Sequence, residues 1–314
     1  PVLDAAEVTR LCELAHISPS ELKAALAKAR YQPKIIEAIT RPAESKPWWQ
    51  FRQIFVTTSR INAAIKFYVS HAELLKEAER VYGVPPEIVC AIMAVETLFG
   101  QNQGSWRVLD ATYTLGFHYP KRAAYFSQEF ARFIELARRE GWQLDAIRGS
   151  YAGAMGMGQF MPSSYLDYAV DFDGDGRVDL FNNAADAIGS VANYFKAHGW
   201  QKGRGIYYPV HLNGADPAPL LARDWQLSPE ELYRAGLSTK VTLTGGQPLH
   251  LFSWELQDGT VTYGVGLENF RCITRYNKSP LYARVVYELS EFIRDGYLKS
   301  TPGRAPAGPR GRRP

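Results

Sequence analysis

Glu96 follows an uninterrupted apolar run, Val89 to Val95, on a segment that Pro85 and Pro86 open as a helix and Gly100 closes. A helix that is apolar on every side is buried on every side. Lost water and the negative end of the helix dipole then both disfavour the carboxylate. A proton held in this way toward neutral pH is what a general acid requires. The structural alternative is a carboxyl satisfied by a neighbouring arginine or a backbone amide.

Further along, Ser150 to Ser164 contains Gly153, Gly156 and Gly158 at near-regular spacing, and Pro162 starts a helix. Glycine lets a second backbone or a ligand approach closely, and Gln159, just before that helix, carries an amide able to donate and to accept. A tight packing turn between helices is the alternative reading. A phosphate loop is excluded, because neither Gly-Lys-Ser nor Gly-Lys-Thr follows.

Asp171, Asp173, Asp175 and Asp179 stand at positions 1, 3, 5 and 9 of a loop with Gly176 at position 6, the pattern of an EF-hand calcium loop except that Asn182 stands at position 12. Four acids so close together repel unless a cation sits among them. Asp186, beyond the loop, can supply the missing carboxylate from the start of the next helix, and Arg177 its backbone carbonyl. Hard oxygen ligands in that number favour calcium, with magnesium second and zinc behind both. The alternative is an acidic solvated turn.

Aromatic and amide residues form a fourth group: Trp48, Trp49, Tyr194, Phe195, Trp200, and Tyr276 with Asn277. Aromatic faces stack on the apolar faces of sugar rings and amides bond sugar hydroxyls, although most aromatics are core residues. Lys121 and Arg122, after Tyr119 and Pro120, can pair with substrate carboxylates, or they form a solvated helix face.

The elements that must position these groups are mostly helical. Residues 3 to 40 read as short helices, with Ser18 and Glu21 in capping-box form. One long amphipathic helix is expected from Ser59 to Tyr82, stopped by Gly83. Others are expected over Pro120 to Glu140, Ala184 to His198 and Ser279 to Asp295. After Gly214 alternation takes over, in Val241, Leu243, Leu249, Leu251, Phe252, Val261 and Tyr263, with turn signals at Gly245-Gly246 and Asp258-Gly259 and a short capped helix from Ser228. The fold class is therefore mainly α with a small antiparallel β-sheet. There is no internal repeat.

The chain has 314 residues, 46% of them apolar, enough for a full core. Its 36 basic and 32 acidic residues give a net charge of +4, and Arg304, Arg310, Arg312 and Arg313 account for all of the excess. The body is balanced, which argues against a nucleic-acid groove. No run approaches the roughly 20 apolar residues of a membrane span. Cys12, Cys90 and Cys272 are too few and too widely spaced for a disulfide framework or a zinc site, and buried free thiols are expected.

In order, Tyr82-Gly-Val-Pro-Pro-Glu-Ile88 leading to Val95-Glu-Thr97, then Tyr119-Pro-Lys-Arg122, Ser150 to Tyr165, Ala169 to Gly176, Asp186 to Trp200 and Ile273-Thr-Arg-Tyr-Asn277 resemble the family of membrane-bound lytic murein transglycosylase B. The resemblance covers about residues 30 to 295. It implies a lysozyme-like helical catalytic core that cuts the β-1,4 bond between N-acetylmuramic acid and N-acetylglucosamine without water, leaving a 1,6-anhydromuramoyl end. By carry-over, Glu96 is the sole catalytic acid and then the base. Ser150, Gln159, Tyr194, Tyr276 and Asn277 line a glycan cleft, with Lys121 and Arg122 on the muramoyl or peptide side. Asp171, Asp173, Asp175, Arg177 and Asp186 surround a structural calcium.

The organisation expected on this basis is a helical region over 1–80, a catalytic core with its calcium loop over 81–214, a β-containing region completing the cleft over 215–275, a helix packing on the core over 276–300 and a disordered basic tail over 301–314. Peptidoglycan glycan strands are the implied partner, with other cell-wall enzymes possible partners and nucleic acid none, for a monomer in the periplasm; a lipidated N-terminus outside this chain is one way of holding it at the outer membrane. Three departures stand out: the extra acid Asp179 in a stretch before Asp186 one residue longer than the family pattern, Lys278 where His often follows Tyr-Asn, and Glu268 in place of Pro. A non-catalytic peptidoglycan-binding scaffold and a lysozyme-type hydrolase are the alternatives.

Overall fold

A computed structural model describes residues 3–41 and 46–302, so nearly all of the expected basic tail lies outside the described residues. The chain divides into two compact units, Pro1–Glu44 with Glu96–Val191, and Ser45–Val95 with Ala192–Pro314.

In the first unit the helices Val108–His118 and Ala123–Glu140 pack on each other, and Pro33–Thr40 and Ala5–Ala15 pack on this pair. Ile35, Ala111, Leu115 and Phe126 close the space between them. The lead-in helices are anchored by buried polar groups: Asp110, 2% exposed, accepts from the Arg30 amide at 2.9 Å, and Thr114 accepts from the Gln32 amide at 3.0 Å. Both bonds of the expected capping box form between Ser18 and Glu21. The segment after Tyr119 begins as a 3-10 turn, Pro120–Arg122, before the α-helix Ala123–Glu140 ends on Gly141.

A two-stranded ladder, Trp106–Arg107 against Arg148–Gly149, brings Gly104 close to the chain at Gly149. Gly104 has φ +95°, and a Cβ there would overlap the Gly149 carbonyl. Backbone conformation and space both demand glycine. Gly104→Ala is expected to cost about 3 kcal/mol or more, read as a lower urea midpoint with an unchanged slope.

The second unit holds a four-stranded antiparallel sheet in the order Ser238–Thr239, Tyr207–His211, Val261–Gly266, His250–Glu255. Tyr207 stands opposite Gly266, and Phe252 opposite Gly264. The expected turn at Asp258-Gly259 joins its last hairpin, where the Asp258 carboxylate accepts from the Thr260 amide at 2.9 Å. Leu227, Leu232, Leu237, Leu251 and Val265 form the apolar cluster on this sheet. Helix Pro280–Ser300 packs against Trp48–Phe55, Thr58–Ser70 and Glu268–Tyr276, and Tyr297 stacks on Tyr68 with centroids 3.7 Å apart.

Two expectations are corrected. The stretch Ser59 to Tyr82 is two helices, Thr58–Ser70 and Ala72–Tyr82, broken at His71. Ser70 Oγ donates to the Lys66 carbonyl at 2.9 Å, and His71 Nδ1 lies 3.0 Å from the Phe67 carbonyl, so side chains compete with the helix at the junction. Val241 and Leu243 lie outside the strands, the Leu243 amide donating to the Tyr233 hydroxyl at 2.8 Å instead, while Tyr207–His211 is a strand despite Pro209.

Cys12, Cys90 and Cys272 are buried free thiols, as expected. Among the described residues no helix is long and apolar enough to cross a membrane.

Candidate active site

Helix Pro86–Thr97 carries Glu96 in its last turn, preceded by Ile88 to Ala94, all fully buried. Arg60 Nε donates to the Ala94 carbonyl at 3.3 Å, covering a helix-end acceptor that has no partner within the helix. Glu96 itself is half-buried. The helix does not run on to Gly100. It ends at Thr97, and Leu98, Phe99 and Gly100 all take left-handed φ values of 49°, 58° and 88°. Two non-glycine residues in that region are strained backbone, which persists only where its surroundings over-determine it.

Thr97 supplies much of that determination. Its hydroxyl, on a side chain 2% exposed, accepts from the Gly100 amide at 2.8 Å and donates to the Met157 carbonyl at 2.7 Å. Thr97→Val removes both bonds and leaves a donor and an acceptor without their partner. A loss of about 2–4 kcal/mol is expected in urea unfolding, with Thr97→Ser restoring most of it.

The glycine-rich segment is tied to the same turn. Gln103 Nε2 donates to the carbonyls of Gly100 at 3.2 Å and Phe181 at 2.8 Å, and Gln159 Nε2 donates to those of Gly156 at 2.9 Å and Gln103 at 3.3 Å. Both amide protons of Gln159 are used, so its Oε1 is the group left for a ligand, as an acceptor. Gln159 has φ 54°, another strained non-glycine position. Ser150 Oγ accepts from the amides of Ala152 at 3.2 Å and Ala154 at 3.1 Å, which leaves its proton as a donor. Ser150 and Gln159 therefore belong to one hydrogen-bonded framework with the Glu96 turn. Thr97 and Gln103 are parts of it that the sequence reading passed over.

Lys121 and Arg122 are exposed in the 3-10 turn, the Arg122 guanidinium lying over the Tyr125 ring at 4.6 Å. Tyr194, Tyr276 and Asn277 lie in the second unit. Tyr194 donates its hydroxyl to the Arg275 carbonyl at 2.8 Å and meets Tyr276 edge-on at 5.0 Å. Asn277 is exposed, and its Oδ1 accepts from the Ser279 amide at 3.0 Å. Trp48, Phe195 and Trp200 are core residues, 3%, 0% and 8% exposed.

The acidic loop folds as a cage of oxygens. One carboxylate oxygen from each of Asp171, Asp173, Asp175 and Asp186 lies within 4.8 Å of all the others. Asp186, fully buried, accepts from the amides of Phe172 and Asp179, both at 2.9 Å, and burial pushes its carboxyl above the usual range. The Asn183 side-chain amide, 2.8 Å from Asp173 Oδ2, holds that carboxyl low. Asp179 turns away to accept from the amides of Phe181 and Asn182, at 2.9 and 3.1 Å. The extra acid thus caps a turn, and the oxygen set drawn from two segments suits a hard divalent cation.

The loop also supports the site. Its Leu180 carbonyl accepts from the Met157 amide at 2.8 Å, beside the Gln103 bond to Phe181.

Comparison with known proteins gives the family of the chain. The transglycosylase SLT domain family matches residues 4–291. Membrane-bound lytic murein transglycosylase B of Escherichia coli (strain K12) is 44% identical over 246 residues, which is 78% of this chain and 67% of that protein. The crystal structure of soluble lytic transglycosylase SltB1 from Pseudomonas aeruginosa aligns with a TM-score of 0.86 at 41% identity, covering 95% of this chain and 99% of that one. An Escherichia coli lytic transglycosylase solved in complex with calcium aligns with a TM-score of 0.82 at 38% identity, covering 93% of each chain. The chain belongs to the transglycosylase SLT domain family, among the relatives of membrane-bound lytic murein transglycosylase B.

Proposed function

We propose that this chain is a lytic transglycosylase of peptidoglycan in which Glu96 is the only carboxyl group that handles protons. Glu96 protonates the oxygen of the β-1,4 bond as the N-acetylglucosamine leaves. The resulting carboxylate then takes the proton from the muramoyl 6-hydroxyl as that oxygen closes on the anomeric carbon. Proton count balances over the two steps, and no water enters the product. The substrate's own acetamido group stabilises the positive anomeric carbon between them, the task a second carboxylate performs in most glycosidases.

The observation that carries this reading is the strained turn at Glu96, bonded through Thr97 and Gln103 to the segment of Ser150 and Gln159. A rigid frame of this kind holds one acid at a fixed place relative to a donor and an acceptor, which is how positioning lowers a barrier. In this reading Ser150 donates to, and Gln159 accepts from, a sugar's polar groups. Tyr194 and Tyr276 offer ring faces, Asn277 its remaining amide donors, and Lys121 with Arg122 meets the muramoyl or peptide carboxylates.

Calcium is the cation we assign to Asp171, Asp173, Asp175 and Asp186, with the Arg177 carbonyl as a further ligand. Bound there, it offsets the mutual repulsion of the acids and ties the loop to helix Ala184–Ala197. The site of action is the periplasm, where peptidoglycan lies, with a lipid anchor outside this chain as the attachment.

Digestion of stem-free glycan strands in oxygen-labelled water tests the chemistry. The product ends are expected to carry no label, and label at every new reducing end would identify a hydrolase instead.

A further inference from the structure

Residues 76–85 and 200–206, both of the second unit, border a cavity of about 430 Å³ that the proposed chemistry does not use. Its wall carries Lys76, Arg80, Lys202 and Arg204, with Glu79 the one acid among them. All four cations are exposed, and Lys76 and Lys202 form no ion pair among the described residues. The floor is apolar, closed by Trp200 and Ile206, 8% and 1% exposed. Charge therefore lies at the mouth and apolar surface at depth.

The cations are held where they stand. Lys76 and Arg80 are four residues apart on helix Ala72–Tyr82 and share a face, and the Glu77 carboxylate accepts from Arg80 Nε at 2.9 Å. Gly83, with φ +77°, leaves room for Lys202: a Cβ there would come within 3.1 Å of the lysine Cβ. The loop that presents Lys202 and Arg204 is fixed from below by Asn269, which is fully buried. Its Oδ1 accepts from the Gln201 amide at 2.7 Å, and its Nδ2 donates to the carbonyls of Gln201 at 2.8 Å and Arg204 at 3.2 Å. Like charges fixed around one cavity repel until an anion enters.

We propose that this cavity binds a small phosphate-bearing amphiphile, its phosphate among Lys76, Arg80, Lys202 and Arg204 and its apolar end on Trp200 and Ile206. The volume falls within the range of ligand sites, about 300–1,000 Å³. A carboxylate carries one charge and would leave most of the rim unmatched. A phosphate monoester carries nearly two charges and three strong acceptor oxygens, which suit guanidinium forks and lysine heads at once. An inorganic anion would leave the floor uncovered, so the apolar end belongs to the assignment. The inference is independent of the role given to Glu96.

Calorimetric titration of the full chain at fixed ionic strength tests this with hexyl phosphate, inorganic phosphate and hexanol. Hexyl phosphate is expected to bind at least about tenfold more tightly than either, the effect of burying roughly two methylenes. Lys76→Gln/Lys202→Gln should weaken it by about tenfold, the loss of about one charge-assisted contact, with melting temperature and fragment release from sacculi unchanged. Lys23→Gln/Lys34→Gln removes the same charge from exposed positions of the first unit and should change nothing. Absence of hexyl phosphate binding, equal weakening by the two pairs, or inorganic phosphate binding as tightly as hexyl phosphate would each overturn the proposal. Flotation with vesicles of phosphatidylglycerol and phosphatidylcholine then separates the sources. Capture that the Lys76→Gln/Lys202→Gln pair abolishes assigns the cavity to a membrane lipid, and hexyl phosphate binding without capture assigns it to a free amphiphile; both uphold it.

Discussion

Glu96→Gln is expected to lower the cleavage rate by about a thousandfold or more while folding and strand binding persist. General acid catalysis contributes about 10²–10⁴ in rate, and in the proposed mechanism one group serves as acid and then as base, so both halves of the reaction lose their proton carrier. Glutamine keeps the shape of the side chain at a half-buried position. The turn beside it is bonded through the Thr97 hydroxyl, the Gln103 amide and the Arg60 guanidinium, none of which the substitution touches. Melting temperature and strand affinity should therefore stay close to those of the unmutated chain. Turnover is followed by release of soluble fragments from sacculi, and normal release by the variant would remove Glu96 from the chemistry.

Chelation of the proposed calcium should produce the second large effect, and it reaches the Glu96 turn through the backbone. A ligand at 100 to 1,000 times its dissociation constant stabilises the form that binds it by about 2.7–4.1 kcal/mol. For a body of 150–250 residues that corresponds to roughly 5–15 °C of melting temperature. Addition of EGTA is accordingly expected to lower the melting temperature by that order, and calcium to restore it. Asp186→Asn should remove most of the response, because Asp186 belongs to the oxygen cage while bonding the Phe172 and Asp179 amides. A chelation shift as large in Asp186→Asn as in the unmutated chain would contradict the assigned ligand set. Activity should also fall, since Leu180 and Phe181 bond Met157 and Gln103, whose other bonds hold the Glu96 turn.

The placement of Glu96 at the end of a buried helix and the gathering of the acidic loop were legible because their signals are local. An apolar run ending in one acid, and acids spaced around a glycine, have meaning without knowledge of what lies opposite. Helix limits set by caps were legible for the same reason, as at Ser18, Ser228 and Gly141. What escaped depends on partners far along the chain. Thr97 acts through Met157 and Gln103 through Phe181, and no spacing rule connects such pairs.

The strand Tyr207–His211 was hidden by Pro209, which the register places opposite Gly264. The break at His71 was hidden by an apolar stripe that continues across it while side chains take the helix carbonyls. Asp179 illustrates the limit within a motif: spacing put it in the acidic loop, and only the turn at Phe181 and Asn182 shows where its carboxylate goes.

The central claim is that the chain cuts peptidoglycan without adding water, and the mass of the new ends tests it most directly. Purified sacculi are digested to completion and the muropeptides analysed by mass spectrometry. Muramoyl ends lighter by one water than ordinary reducing ends, the mass of the 1,6-anhydro form, are the predicted result. Ends that retain the mass of that water would contradict the account and make the chain a hydrolase.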